Sequence, residues 1–65
     1  MKFKELQYVK TMKDFPSEGI SKNERGTIVL CFTAPDEAYE VEFVNNDGST
    51  RAMFPILAEH LELVE

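Results

Sequence analysis

The chain is poor in the residues that build cross-links and metal sites. Its 65 residues include one cysteine, one histidine and no tryptophan. The lone cysteine, Cys31, excludes an internal disulfide and argues against a structural metal, and it suits a reducing compartment. No apolar run reaches the length of a membrane helix, and the charged amino-terminal residues do not resemble a signal peptide. We therefore expect a cytoplasmic protein that has no metal or cofactor and does not associate with membranes.

Basic residues are scarce over most of the chain. Residues 1–25 hold six bases and four acids, whereas residues 26–65 hold one base, Arg51, and eight acids, for a net charge of −5. Nucleic-acid binders obtain much of their affinity from bases that neutralise phosphates, so this distribution disfavours a nucleic-acid partner. A basic protein is the better match. The alternative is that the acidity only keeps the chain soluble.

The sequence contains no recognisable catalytic constellation. A nucleophile needs an adjacent base, but Cys31 lies in the apolar run TIVLCF, which is typical of a buried thiol. The single histidine, His60, lies in a short segment near the end of the chain. Alternating Glu40 and Glu42 are typical of a solvated strand face rather than of a carboxylate pair for catalysis. The sequence therefore predicts a protein that is not an enzyme.

What the chain does have is enough apolar material for one small core. Hydrophobic residues make up 43% of it, including five Phe and two Tyr. We expect a single domain over residues 1–65, near the lower size limit for independent folding. Such a small core favours an efficient sheet, helped by a partner or by a second copy.

Apolar periodicity predicts five short strands. We place them at residues 6–12, 27–32, 39–44, 49–54 and 61–64. Pro55 is expected to end the fourth strand, and residues 56–60 to form a 3₁₀ turn. Phe15 and Ile20, in the long first loop, are expected to pack back onto the core. The alternation within residues 27–32 leaves open which side chains face inward, and a bulge there could switch the faces.

The third strand and the turn after it predict a register. Tyr39, Val41 and Phe43 alternate with Glu40 and Glu42, which predicts a buried face and a wet face. Residues 45–48, Asn-Asn-Asp-Gly, are a strong hairpin signal. An even-numbered loop would place Arg51 opposite Glu42, and Phe54, Ala52 and Thr50 on the core face. An odd loop would leave the charge of Arg51 against the core.

These elements predict an all-β protein: a small five-stranded SH3-like barrel with a long first loop and a 3₁₀ turn before the last strand. The alternative is an open three-stranded meander with a carboxy-terminal helix over residues 56–63.

The residues also carry a family resemblance. The segments YVKTMKDFPSEGI, RGTIV and AYEVEFVNNDGST and the terminal LELV resemble the short bacterial proteins of the domain of unknown function 4926 family. The resemblance implies an SH3-like fold, distantly akin to the barrel in the nitrile hydratase β subunit. These proteins are also similar to immunity proteins, compact acidic proteins that block basic nuclease toxins. The resemblance assigns no site residue.

Three hypotheses of function remain open. The first is a protein-binding inhibitor, most concretely an immunity protein against a basic toxin or another co-encoded protein. The second is an accessory or scaffolding barrel that docks on a larger enzyme or forms a homodimer, and the third is a weak nucleic-acid binder that uses the amino-terminal bases. For the first, we expect an acidic docking surface, with Glu59 and Glu62 on the closing segment, and the candidate partner-binding residues Asp36, Glu37, Glu40, Glu42, Asp47 and Arg51.

Overall fold

The structure is a computed structural model that describes residues 2–64. These residues form five β-strands and two single-turn 3₁₀ helices. In chain order the elements are β1 (Tyr8–Thr11), a first 3₁₀ turn (Pro16–Glu18), β2 (Arg25–Phe32), β3 (Ala38–Val44), β4 (Thr50–Leu57), a second 3₁₀ turn (Ala58–His60) and β5 (Leu61–Leu63).

All five strands belong to one antiparallel sheet in the order β4-β3-β2-β1-β5. Strands β1 to β4 form a meander, and β5 returns to pair with β1. With the long loop after β1 and the 3₁₀ turn before β5, this is the predicted small SH3-like barrel. The sheet stays open between β4 and β5, which the second 3₁₀ turn connects. The alternative with a carboxy-terminal helix is wrong, because residues 56 and 57 complete β4 and only residues 58–60 form a turn.

Strand β1 buries two of its smaller side chains and leaves exposed the larger apolar ones at its first residue and just before it. Val9 and Thr11 are fully buried, whereas Leu6 and Tyr8 are largely exposed. The buried hydroxyl of Thr11 donates to the Ser21 carbonyl (2.7 Å) and accepts from the Glu24 backbone N–H (3.1 Å). This polar side chain can occupy the core because its hydroxyl is hydrogen-bonded. The same two bonds fix the end of the long first loop.

That loop packs back onto the core as predicted. Ile20 is buried and Phe15 packs against the buried cluster. Their backbones form an isolated antiparallel bridge, with the Phe15 N–H donating to the Ile20 carbonyl at 2.7 Å. The Phe15 ring meets Phe54 edge to face at 5.4 Å between centroids. The loop thus covers the part of the core beside β4.

A bulge in β2 answers the question of which residues face inward. Ile28 pairs with Val41, but Leu30 pairs with Glu40, so Val29 is the extra residue. Ile28 is consequently fully buried before the bulge, and Cys31 packs against the core after it. Leu30 is turned outward.

Strand β3 is the centre of the core, with the predicted alternation. Tyr39, Val41 and Phe43 are at most 1% exposed. Their partners on β4 are Ile56, Phe54 and Ala52, in that order, so Phe54 and Ala52 share the core face as predicted. The buried cluster consists of Phe3, Val9, Ile20, Ile28, Tyr39, Val41, Phe43, Ile56 and Leu61.

The predicted hairpin register is wrong at its tip. Val44 pairs with Thr50, so the loop has five residues, closed by a hydrogen bond from the Asn45 N–H to the Ser49 carbonyl at 2.8 Å. A bulge at Arg51 then restores the parity, because Phe43 pairs with Ala52. Met53, not Arg51, therefore lies opposite Glu42. Thr50 is exposed rather than on the core face.

Pro55 does not end β4, which continues to Leu57. A proline has no N–H to donate, but β4 is an edge strand of the sheet. The side of the strand that would need that donor has no neighbouring strand, so the ladder loses nothing. Pro55 also discourages another strand from pairing along this edge.

Candidate protein-docking face

The side of the sheet turned away from the core carries three cross-strand rows over β2, β3 and β4. We call this surface the outer face. Its rows, each running from β2 through β3 to β4, are Phe32–Ala38–Leu57, Leu30–Glu40–Pro55 and Thr27–Glu42–Met53.

The outer face exposes large apolar side chains. Leu30 is 50% exposed and Met53 is 51% exposed, and Phe32 and Leu57 follow at 38% and 37%. Single exposed apolar residues are common on protein surfaces, but these four lie on β2 and β4, the strands on either side of β3, and the row Phe32–Ala38–Leu57 joins them into a patch. Such patches are typical of interaction sites.

Two carboxylates run down the middle of this patch. Glu40 lies between Leu30 and Pro55, and Glu42 lies between Thr27 and Met53. Both glutamates are only partly exposed. The predicted wet face is thus an apolar surface with a central acidic line.

The two carboxylates differ in their partners. The Thr50 hydroxyl donates to Glu42 Oε2, so Glu42 already has a hydrogen-bond partner from the hairpin. Within residues 2–64 the Glu40 carboxylate accepts no hydrogen bond and forms no ion pair. Glu40 is therefore available to a cation from another molecule.

Glu37 serves the fold instead of standing free on the surface. Its Oε2 accepts from the Lys2 backbone N–H at 2.7 Å and from the buried Tyr39 hydroxyl. These bonds, chiefly the one from Tyr39, lower the pKa of Glu37 from its ordinary value. Burial, followed by the bond to Glu37, raises the pKa of Tyr39. The Tyr39 hydroxyl also accepts from the Phe3 N–H at 2.9 Å, which anchors the amino-terminal segment.

Asp47 is occupied within the hairpin loop. Its Oδ1 accepts from the Ser49 hydroxyl (2.6 Å) and the Ser49 N–H (2.9 Å). These two bonds lower the pKa of Asp47. The carboxylate therefore shapes the turn, away from the three rows of the outer face.

Arg51 does not lie opposite Glu42, where it was predicted. Its guanidinium donates to Glu24 Oε1 and, at 3.2 Å, to the Gly19 carbonyl. Hydrogen bonds from the Ser21 N–H and then from Arg51 lower the pKa of Glu24. The bulge thus directs Arg51 to the first loop, and the only base of residues 26–65 ties the hairpin to that loop.

Hollows lie at both ends of the outer face. A hollow of about 340 Å³ beside Glu42 is lined by Tyr8, Arg25, Gly26, Thr27, Glu42, Val44 and Val64. Another of about 290 Å³ is lined by Phe32, Ala34, Pro35, Asp36, Ala38, Pro55 and Leu57. Asp36 also borders an acidic hollow of about 350 Å³ with Glu37, Leu57, Ala58 and Glu59. The outer face is therefore uneven enough to receive side chains of a partner.

Comparison with known proteins adds a family. The model of the family described as "Domain of unknown function (DUF4926)" matches residues 5–63, which is nearly the whole chain. The chain belongs to the DUF4926 family. Neither the curated proteins nor the solved structures compared with this DUF4926 chain include a match. The matched region contains all five strands, so the outer face lies inside the DUF4926 domain.

Other chemistry-bearing residues of this DUF4926 chain are dispersed. Residues 2–64 bring together no group of three or more His, Cys, Asp or Glu side chains that would suit a metal ion. Cys31 is half-buried against the core, and the His60 ring meets Phe15 edge to face at 6.3 Å. None of the helical turns in residues 2–64 is long and apolar enough to cross a membrane.

The structure brings together only part of the predicted docking surface. Glu40 and Glu42 lie side by side on the outer face, and Asp36 lies at its end. Sequence reasoning missed the apolar residues that flank the glutamates. Met53 carried a signal, since it alternates with the inward Ala52 and Phe54. The direction of Leu30 stayed open, because the apolar run of residues 27–32 allowed a bulge but did not place it at Val29.

Proposed function

We propose that this DUF4926 protein is a cytoplasmic protein-binding module that inhibits a basic protein by direct contact. The most concrete version is an immunity protein that neutralises a nuclease-type toxin encoded beside it. The observation that supports the proposal is the outer face, where Glu40 and Glu42 lie among exposed apolar side chains with no base in the three rows.

The physical basis is complementarity to a cationic cleft. A nuclease must attract phosphates, so the surface around its cleft carries lysine and arginine. A carboxylate line on a rigid sheet can occupy that surface in place of the substrate, and long-range attraction raises the association rate. The apolar side chains beside the line slow dissociation, because separating them exposes them to water again.

The exposed apolar residues also support a second candidate, an accessory barrel held permanently on a larger enzyme. Leu30 and Met53 are each about half exposed, as expected for side chains that a partner covers. An accessory subunit would bind equally well whether or not its partner is basic. The two candidates therefore differ in how strongly binding depends on the glutamates.

Copurification with the product of the adjacent reading frame tests the proposal. We expect a stable complex that the double change Glu40→Lys and Glu42→Lys abolishes, because it places two cations against a basic surface. Glu62→Lys is the matched control, since Glu62 lies on β5 and pairs with Lys10 at 3.3 Å outside the three rows.

The proposal fails if no complex forms. A complex that is indifferent to both lysine substitutions would support the accessory barrel instead.

A further inference from the structure

We propose that Glu40 and its apolar neighbours Leu30, Met53 and Pro55 form an anchor on the outer face. This anchor binds a cationic side chain of the partner protein that is flanked by apolar ones. This inference rests on the proposed function and narrows it. An inhibitor that only imitated phosphates would need carboxylates alone. The outer face instead surrounds the carboxylate of Glu40, which has no partner within residues 2–64, with Leu30, Met53 and Pro55.

Charge decides against a second copy of the chain as the occupant. Two identical outer faces in contact would bring Glu40 and Glu42 of one copy against those of the other, with no base in the three rows to pair with them. Burying like charges in an interface is strongly unfavourable. Arg51 is already held by Glu24, and Arg25 lies beyond the three rows, in the hollow beside Glu42.

The exposed edge of β4 does not offer an alternative dock. Pro55 interrupts the free edge, and the bulge at Arg51 distorts the strand four residues before it. An added strand would find a missing donor and an irregular register. The outer face is therefore a better surface for a partner than the β4 edge beside it.

The geometry indicates how the partner's side chains would be received. A half-buried carboxylate attracts a cation more strongly than a fully hydrated one, since less water screens it. The apolar stem of an arginine or lysine can lie over Leu30 and Met53 while its charged end reaches Glu40. An adjacent apolar side chain can enter the hollow between Phe32 and Leu57, which measures about 290 Å³.

This mixed surface predicts a distinctive response to salt. Contacts between exposed charges weaken strongly at about 1 M salt, where the Debye length is about 3 Å. Apolar contacts do not weaken. A partner segment seated on the anchor therefore stays bound at high salt, whereas a purely electrostatic one is released.

Short synthetic peptides test the anchor directly. Three capped peptides of equal length are used, which alternate arginine with leucine, arginine with serine, and glutamate with leucine. Each is titrated into the isotope-labelled protein while backbone amide shifts are followed by NMR. We expect the arginine–leucine peptide to shift the amides of Leu30, Glu40 and Met53, and to bind at least about 5-fold more tightly than the other two.

Two substitutions with matched controls assign the effect to the anchor. Glu40→Gln should weaken the arginine–leucine peptide up to about 5-fold, whereas Glu62→Gln should not change it. Leu30→Ser should weaken the binding of this peptide several-fold and reduce the binding that remains at high salt. Leu6→Ser should change neither. Leu6 is a suitable control because it is 76% exposed and lies before β1.

Three outcomes would overturn the inference. The first is equal binding of the arginine–leucine and arginine–serine peptides, and the second is shifts confined to Asp36 and Glu59 or to the hairpin loop. The third is movement of the same outer-face amides on simple dilution, which would identify a second copy as the occupant.

These results separate the inference from the proposed function. If the adjacent gene product does not bind but the peptide does, the inhibitor proposal fails and the anchor stands. If the gene product binds and the double change Glu40→Lys and Glu42→Lys abolishes the complex, but Leu30→Ser does not weaken it, the anchor fails and the inhibitor proposal stands.

Discussion

The Tyr39 hydroxyl is the polar group on which the amino-terminal segment depends. It is buried, donates to Glu37 and accepts from the Phe3 N–H. The Phe3 ring packs edge to face on Tyr39 at 5.3 Å. A single side chain thus holds the start of the chain over the core by both packing and hydrogen bonding.

Replacing Tyr39 with phenylalanine keeps the ring and removes the hydroxyl. The buried Phe3 N–H then loses its acceptor, so we expect the free energy of unfolding to fall by about 1–3 kcal/mol. Urea denaturation measures the change. Tyr8→Phe is the control, since Tyr8 is 65% exposed and should change stability by less than about 0.5 kcal/mol. Equal effects of the two substitutions would contradict the role given to Tyr39.

Gly26 and Gly48 are required for different reasons, and alanine substitutions distinguish them. A Cβ on Gly26 would lie 2.5 Å from Val41 Cγ1, so Gly26→Ala must displace the core and should cost about 1–3 kcal/mol. Gly48 has open space around it but a φ of +88°, so Gly48→Ala should cost only about 1–2 kcal/mol of backbone strain. Amide shifts should move around Val41 and Phe43 for Gly26→Ala only. Undisturbed core shifts in that variant would contradict the close approach.

At the scale of elements, the β3–β4 hairpin shows what the sequence could and could not predict. The inward residues Tyr39, Val41 and Phe43 followed from strict alternation, and so did the pairing of their face with Ala52 and Phe54. The loop length did not follow, because a five-residue loop with a bulge gives the same parity as an even loop. Only the positions beside the turn reveal the difference.

Because of the bulge, Arg51 pairs with Glu24 instead of Glu42. Double-mutant cycles measure which of the two carboxylates Arg51 interacts with. Arg51 and Glu24 are partly exposed, so their coupling energy should be positive but below about 1 kcal/mol. The cycle of Arg51→Met with Glu24→Gln should show this coupling, whereas that of Arg51→Met with Glu42→Gln should show none. A larger coupling to Glu42 would contradict the bulge and support the register predicted from the sequence, with Arg51 opposite Glu42.

For the whole molecule, the topology was predictable and the character of the outer face was not. Five strands, a long first loop and a late 3₁₀ turn leave few arrangements other than a small SH3-like barrel. The outer face depends on two bulges, at Val29 and Arg51, because each decides which neighbours turn outward. Bulges leave no clear mark in apolar periodicity. Glu40 and Glu42 were therefore found from the sequence, while the exposure of Leu30 beside them was not.

Three carboxylates link the stability of the whole chain to pH. The pKa values of Glu24, Glu37 and Asp47 are lowered in the folded state by the hydrogen bonds they accept. A lowered pKa means that the unfolded state binds protons first as the pH falls. Their contribution is therefore complete above about pH 5 and is lost as the pH falls through about 4 and below.

We expect the urea midpoint to decrease as the pH falls from about 5 to 3, and to decrease less steeply in Glu37→Gln. Glu62→Gln serves as the comparison, because Glu62 is exposed and pairs only with Lys10 among residues 2–64. A midpoint that stays constant or rises on acidification would contradict these hydrogen bonds.

Mapping the surface that a bound partner covers is the most direct test that the outer face is the docking surface. Amide shifts and cross-saturation of the isotope-labelled protein are recorded in complex with the product of the adjacent reading frame. We expect the effects to centre on Leu30, Glu40 and Met53 and to leave β1 and β5 unchanged. Effects centred on β1, β5 or the first loop, with the outer face still exposed to solvent, would contradict the proposal.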